Sequence, residues 1–215
     1  MGFAGMDCKH YPGDAVMDAL RTSTNLVWCG FYLAPAPYQP DSSWMDRQSY
    51  LASQGWGFAP IYVGRQEGSQ HLTAKQGTTD GDNACALARA AGFDRCVIYL
   101  DLEAAGAVSE ATGKYLAAWS DAVRALQFVP GVYCSHTSVR SIQDQDVDVV
   151  FWVYKFRNVD VGAIKEPPFR DGDPGESGAD GAVVWQWAQN CVVETPQGNL
   201  EVDLDTAARE DPSRV

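Results

Sequence analysis

The sequence predicts an α/β protein: a (β/α)8 TIM-type barrel whose final third is irregular, with helices missing or shortened after strands six and seven. Three observations point there. Strand-like and helix-like segments alternate through the first two-thirds of the chain. Acidic side chains end the first, fourth and last strand candidates, where such barrels build their sites. A length of 215 residues suits one barrel and is short for two domains.

The elements follow in order. Phe3 to Cys8 reads as the first strand, and Ala15–Thr22 as a short helix with Val16, Met17 and Leu20 on one face. Leu26–Leu33 is the second strand. The proline-rich loop Ala34–Pro40 follows, kept non-helical by its prolines. Asp41 or Ser42 can cap a helix over Trp44–Ser53, and Phe58–Val63 is the third strand. Gly81–Ala91 has Ala84, Leu87, Ala88 and Ala91 at helical spacing. After the fourth strand, Val97–Glu103, Ser109 caps the longest helix, Glu110–Leu126, with Leu116, Trp119, Val123 and Leu126 as its buried stripe. Pro130–Cys134 is a strand, Ser138–Gln143 a helical turn and Val149–Tyr154 the sixth strand. Arg157 to Gly181 is rich in Pro, Gly and Asp and reads as a long loop. Ala182–Trp187 and Leu200–Leu204 supply the last two strands. The barrel domain is expected over residues 1–206, with a polar, frayed tail over 207–215.

Composition narrows the function. A net charge of −12 leaves no basic stripe for phosphates, so nucleic-acid binding is not expected. No apolar run approaches the ~20 residues that cross a bilayer. The first residues lack a basic start followed by an apolar core, so no signal peptide is visible. A cytoplasmic protein, or one exported to the cell envelope by a dedicated route, is expected. The six cysteines form no C-x-x-C pair and sit mostly in apolar runs, as reduced structural residues do.

The chemistry is carried by Asp101-Leu102-Glu103. Strand side chains alternate faces, so these two carboxylates project to the same side. Paired carboxylates at a strand end are what glycoside hydrolysis needs: one acid to protonate the leaving oxygen, one anion to stabilise positive charge. Taken alone, such a pair is more often a strand end whose polar residues cap neighbouring helices or are simply solvated. Asp7 and Asp203, with Asp205 beyond it, bring further acids to the same expected rim. Aromatic residues at successive strand ends offer flat faces for sugar rings: Tyr32, Tyr62, Tyr133, Trp152, Tyr154, Trp185 and Trp187. Gln186 stands between the last two as a polar substrate contact. Trp28 and Trp119 are expected to pack the interior instead.

Other patterns are weaker. His10 and His136 share no metal-ligand spacing with each other, and no G-x-S-x-G elbow accompanies Ser135. The acidic segment Gly77–Asp82 reads as a capped turn, and Asp171–Asp173 with Asp180 as a solvated loop.

Six segments occur in the order of a known set: Gly5-Met6-Asp7, Pro60–Gly64, Ile98–Glu103, Gly131–Ser135, Phe151–Tyr154 and Val202–Asp205. Together they resemble the bacterial glycoside-hydrolase-like domain family and, more distantly, the N-acetylmuramidase-type lysozymes of glycoside hydrolase family 25. The resemblance runs from about residue 3 to residue 206. It implies Glu103 as general acid, Asp101 as the partner that stabilises the acetamido group or cationic centre, and Asp7 and Asp203 as groups that hold substrate and tune them. Carboxylates crowded in one cleft cannot all ionise easily, so one should keep its proton, and reach favours Glu103 for that role. The expected activity is hydrolysis of an N-acetylated glycan such as peptidoglycan, by a monomer needing no metal or organic cofactor. A non-catalytic glycan-binding protein on the same barrel is the main alternative. A cell-wall-degrading toxin delivered to competing bacteria is another.

Overall fold

Alternation of apolar side chains along the strands builds one wall with a core on each side of it. The computed structural model describes residues 2–103, 105–156 and 161–214. The strands are β1 (Phe3–Asp7), β2 (Trp28–Tyr32), β3 (Gly57–Val63), β4 (Val97–Asp101), β5 (Val129–Ser135), β6 (Val150–Tyr154), β7 (Ile164–Lys165), β8 (Ala182–Thr195) and β9 (Gly198–Ala207). β1 to β6 lie side by side and parallel, β6 pairs with β8, and β9 closes the barrel between β8 and β1. This is a closed eight-stranded α/β barrel of the TIM type, with helices sparse in the last third. The two-residue β7 adds an edge to the outer end of β8.

Inward-facing Trp28, Ile61, Val97, Tyr99, Trp152 and Val184 fill the barrel. Outward-facing Ile98, Leu100, Val132 and Val153 pack beneath the helices with Leu116, Trp119 and Val123. Trp28 and Trp119 are thus packing residues, as expected.

The helices are α1 (Asp14–Ser23), α2 (Gln48–Ser53), α3 (Ala74–Ala90), α4 (Glu110–Ala125) and α5 (Val139–Gln143). Ser109 caps α4, its hydroxyl accepting from the Thr112 amide at 3.2 Å. α2 is shorter than the spacing suggested. α3 begins seven residues before the expected start at Gly81, because Thr73 caps it by accepting from the Gln76 amide at 3.1 Å. Gly77–Asp82 therefore lies inside a helix rather than forming a capped turn. Gly77 is there for closeness: a Cβ would stand 2.2 Å from the Tyr115 carbonyl oxygen of α4.

The end of the chain departs most from expectation. The last two strands are a hairpin, with Thr195 opposite Gly198 across a Pro196-Gln197 turn, so β9 runs antiparallel to its neighbours. A two-residue connection cannot make the crossover that a parallel strand requires. In the expected long loop, a 3₁₀ turn at Pro174–Ser177 is capped by Asp173, which accepts from the Gly175 amide at 2.8 Å. Residues 157–160 of that loop lie outside the described residues.

Through Arg214 the tail is tied down. Ala207 belongs to β9, and the segment after it covers the bottom of the barrel. The Ser213 carbonyl accepts from the Val97 amide at 2.8 Å, and the Pro212 carbonyl accepts from the Tyr99 hydroxyl at 3.0 Å. Asp211 fastens this cover, accepting from the Phe58 amide, the Ser213 amide and hydroxyl, and the Arg214 guanidinium. Asp211→Ala should cost about 1–3 kcal/mol, because the buried amides lose their acceptor. A lowered urea midpoint with unchanged slope would show this.

No helix among the described residues is long and apolar enough to cross a membrane.

Candidate active site

The alternation that fills the barrel also aims the carboxylates. Val97 and Tyr99 point inward, so Asp101 does too, level with Val63 of β3 and Tyr133 of β5. Strand pairing stops there. Gln66, just past β3, then continues the ladder with its side chain: its Nε2 donates to the Asp101 carbonyl at 3.0 Å, and its Oε1 accepts from the Glu103 amide at 2.8 Å. This bridge holds Glu103 at the rim in solvent, while Asp101 is buried one step below. Oδ1 of Asp101 has no hydrogen-bond partner among the described residues.

Asp7, at the end of β1, stands in register with Asp203 of β9. The Tyr32 hydroxyl donates to Asp7 Oδ1 at 2.7 Å. Asp203 accepts from the Asn190 amide at 2.6 Å and from Gln186 Nε2 at 2.7 Å, and Gln186 Oε1 in turn accepts from the Tyr133 hydroxyl. Deeper still, Asp205 accepts from Trp152 Nε1 at 2.9 Å and meets the carboxyl of Asp7. Two carboxylates cannot hydrogen-bond without a proton between them. Asp205 is fully buried, and its Oδ2 has no hydrogen-bond partner among the described residues. A proton on Asp205 would give that oxygen a partner in Asp7.

Burial dominates the electrostatics. It pushes all four aspartates upward, Asp203 to about 8, with Asp7's charge adding to the rise in the other three. Glu103 also raises Asp101, while Lys9 opposes the rise. In the folded chain the buried neighbour Asp101 is held well above the usual carboxylate range.

These groups line one cleft. A floor hollow of about 70 Å³ touches Asp7, Tyr32, Asp101, Glu103, Tyr133 and Asp203. It shares residues with two larger hollows, one of about 440 Å³ beside Lys9–Pro12 and the β8–β9 hairpin. The other, of about 300 Å³, lies beside Tyr38 and Gln66. Acids from β1, β4 and β9 thus meet at one place.

Not every predicted aromatic joins them. Tyr32 and Tyr133 do, and Tyr154 packs against Tyr133 at 5.3 Å. Trp152 lines the floor but is fully buried, so its ring cannot stack on a sugar. Tyr62 and Trp185 lie outside the cleft. Each faces away from the barrel axis: Tyr62 donates to Asn83 at 3.1 Å, and Trp185 donates to the Lys155 carbonyl at 3.0 Å beneath Arg170. Trp187 likewise packs on the outer side, under Lys165. Their strands carry Ile61, Val63, Val184 and Gln186 toward the inside instead. Lys9, Tyr38 and Gln66 escaped the sequence reading. Lys9 follows Asp7 by two residues and was legible as a rim position; nothing local announced the Gln66 bridge.

His10 pairs with Asp41 at 2.5 Å. Arg95 and Arg140 pair with Asp94 and Asp144. The six cysteines are unbridged, and all but Cys8 are buried. Among the described residues no group of three or more His, Cys, Asp or Glu side chains is arranged to hold a metal ion.

A family model, the Rv2525c-like glycoside hydrolase-like domain, matches residues 18–193. The chain belongs to that family. The match takes in Asp101 and Glu103 of this Rv2525c-like domain and stops short of Asp7 and Asp203. No curated protein matches it in sequence. Its fold is similar to that of an uncharacterized B. stearothermophilus protein, with 21% identity, a TM-score of 0.73, and 97% of both chains covered. It is similar to the Mycobacterium tuberculosis Tat-secreted protein Rv2525c at 13% identity and TM-score 0.65, covering 99% of this chain and 97% of that one. It is also similar to the catalytic domain of an endolysin from a Listeria monocytogenes bacteriophage, at 14% identity and TM-score 0.66, covering 98% and 95%. At these identities the likeness is one of fold.

Proposed function

We propose that this Rv2525c-like domain hydrolyses an N-acetylated glycan, with peptidoglycan as its substrate. The observation that carries the reading is the meeting of Asp7, Asp101, Glu103 and Asp203 in one open cleft. The fold it shares with an endolysin catalytic domain supports it.

Glu103 stands in solvent at the rim, where a glycosidic oxygen can reach it, and gives that oxygen its proton as the C1–O bond breaks. Asp101, below it, has one oxygen unengaged and orients the 2-acetamido group. The acetamido carbonyl oxygen bonds to C1 as the leaving group departs, so no enzymic nucleophile is needed. Water then opens this ring intermediate, and the Glu103 carboxylate accepts its proton. Asp7 and Asp203, fixed by Tyr32 and Gln186, hold sugar hydroxyls. The protein acts as a monomer.

The test is incubation with purified peptidoglycan and mass analysis of the released fragments. Wild type should release muropeptides, and Glu103→Gln should slow release by about 10²–10⁴-fold. Unchanged release by Glu103→Gln removes its role as acid. If wild type binds the polymer and releases nothing, the domain is a glycan-binding module.

A further inference from the structure

We propose that Tyr38 is the sugar-stacking platform of a subsite on the Glu103 side of the cleft, taking the apolar face of a neutral pyranose ring. The proposal rests on the glycan reading above and adds a residue and a place to it.

The platform is built before any sugar arrives. Ala36 and Gln39 exchange backbone hydrogen bonds at 2.9 and 3.1 Å, so Pro37 and Tyr38 form the tip of a tight turn. Prolines at 35, 37 and 40 restrict the backbone around it. The side chain of Gln39 is fully buried, and its Nε2 donates to the Lys9 carbonyl at 2.9 Å. The Tyr38 amide donates to the Val63 carbonyl at 3.4 Å, at the end of β3. The turn is thus tied both to the loop after β1 and to the strand beside Asp101.

On this held tip the Tyr38 side chain is left 48% exposed, in a chain that buries most of its large apolar side chains. It lines the 300 Å³ hollow together with Lys9, Val63, Asp101 and Glu103. Tyr38 and Val63 supply apolar lining, and Lys9, Gln66, Asp101 and Glu103 supply polar lining. A pyranose has the same division, with C–H groups on a face and hydroxyls at the edge. The other rings of the cleft are committed elsewhere. Tyr32 and Tyr133 hydroxyls serve Asp7 and Gln186, Trp152 is buried, and Tyr154 packs between Tyr133 and Phe156.

The experiment measures chitotetraose binding to Glu103→Gln protein by calorimetry, with amide chemical shifts followed in parallel. Adding Tyr38→Ala should weaken binding about tenfold, while Tyr38→Phe, which keeps the ring, should stay within about twofold. Shift changes should include Val63 and Gln66. Equal affinity with Tyr38→Ala, or shifts confined to the Lys9–Pro12 side, overturns the platform and leaves the glycan reading standing. No binding by Glu103→Gln protein with Tyr38 intact overturns both. Matching thermal melts of the variants separate loss of the ring from loss of the fold.

Discussion

The melting temperature of the protein should fall as pH rises from about 4 to about 8, and Asp205→Asn or Asp203→Asn should flatten that fall. The argument follows from burial. An aspartate in the unfolded chain titrates near 3.8, while Asp203 in the fold titrates at about 8 and Asp205 is held well above the ordinary range. The fold therefore binds more protons than the unfolded chain throughout this window. Stability contributed by the neutral carboxyls is fully present below the unfolded value and is lost as pH climbs to the folded one. Asp7 and Asp101 shift in the same direction and add to the slope. Asparagine at 205 can do permanently what the protonated acid does. Its carbonyl accepts from Trp152 Nε1 and its amide donates to Asp7. Asp205→Asn should therefore match wild type near pH 4 and melt several degrees higher at pH 8. Calorimetric melts across that range decide it; a variant less stable than wild type at pH 8 would show that Asp205 is not the neutral member of the pair.

Trp28→Ala should cost about 3–5 kcal/mol, a large part of the ~5–15 kcal/mol that holds a domain together. Trp28 is fully buried inside the barrel, its indole edge-on to Trp152 at 5.7 Å and its Nε1 donating to the Phe3 carbonyl at 3.0 Å. The indole lies against Gly5 so tightly that a Cβ there would be 2.0 Å from Trp28 Cε2. Backbone on one side and a second tryptophan on the other leave the cavity little freedom to collapse. The loss should appear as a lower denaturant midpoint. Because Trp152 supports Asp205, the same variant should disturb the cleft floor as well.

Much of this was readable in the chain. Local periodicity located β1 to β6, the Ser109 cap and the acids of β4, because these depend on neighbours within a few residues. The same locality misled at the ends of the chain. The strand expected over Ala182–Trp187 runs on to Thr195, and its Pro196-Gln197 turn is not one of the dipeptides that mark a two-residue hairpin. The direction of β9 was missed with it. Facing was the harder question for aromatics. Tyr32 and Tyr133 turn inward, whereas Tyr62 and Trp185 turn to the helices. A run apolar on both faces does not say which residues are inside until its register is fixed by its neighbours.

The sequence by itself determined the α/β barrel, the D-x-E pair at the end of β4 and the presence of acids on the first and last strands. Only the tertiary structure decided how deeply each of those acids is buried. Charge on a carboxyl depends on how much water it loses and which groups face it across strands distant in sequence. Asp101 and Glu103 are two residues apart, yet one is buried beneath the cleft and the other stands in solvent, held there by Gln66 from another loop. Spacing sets which side a residue faces; the depth of the barrel around it sets what it does there.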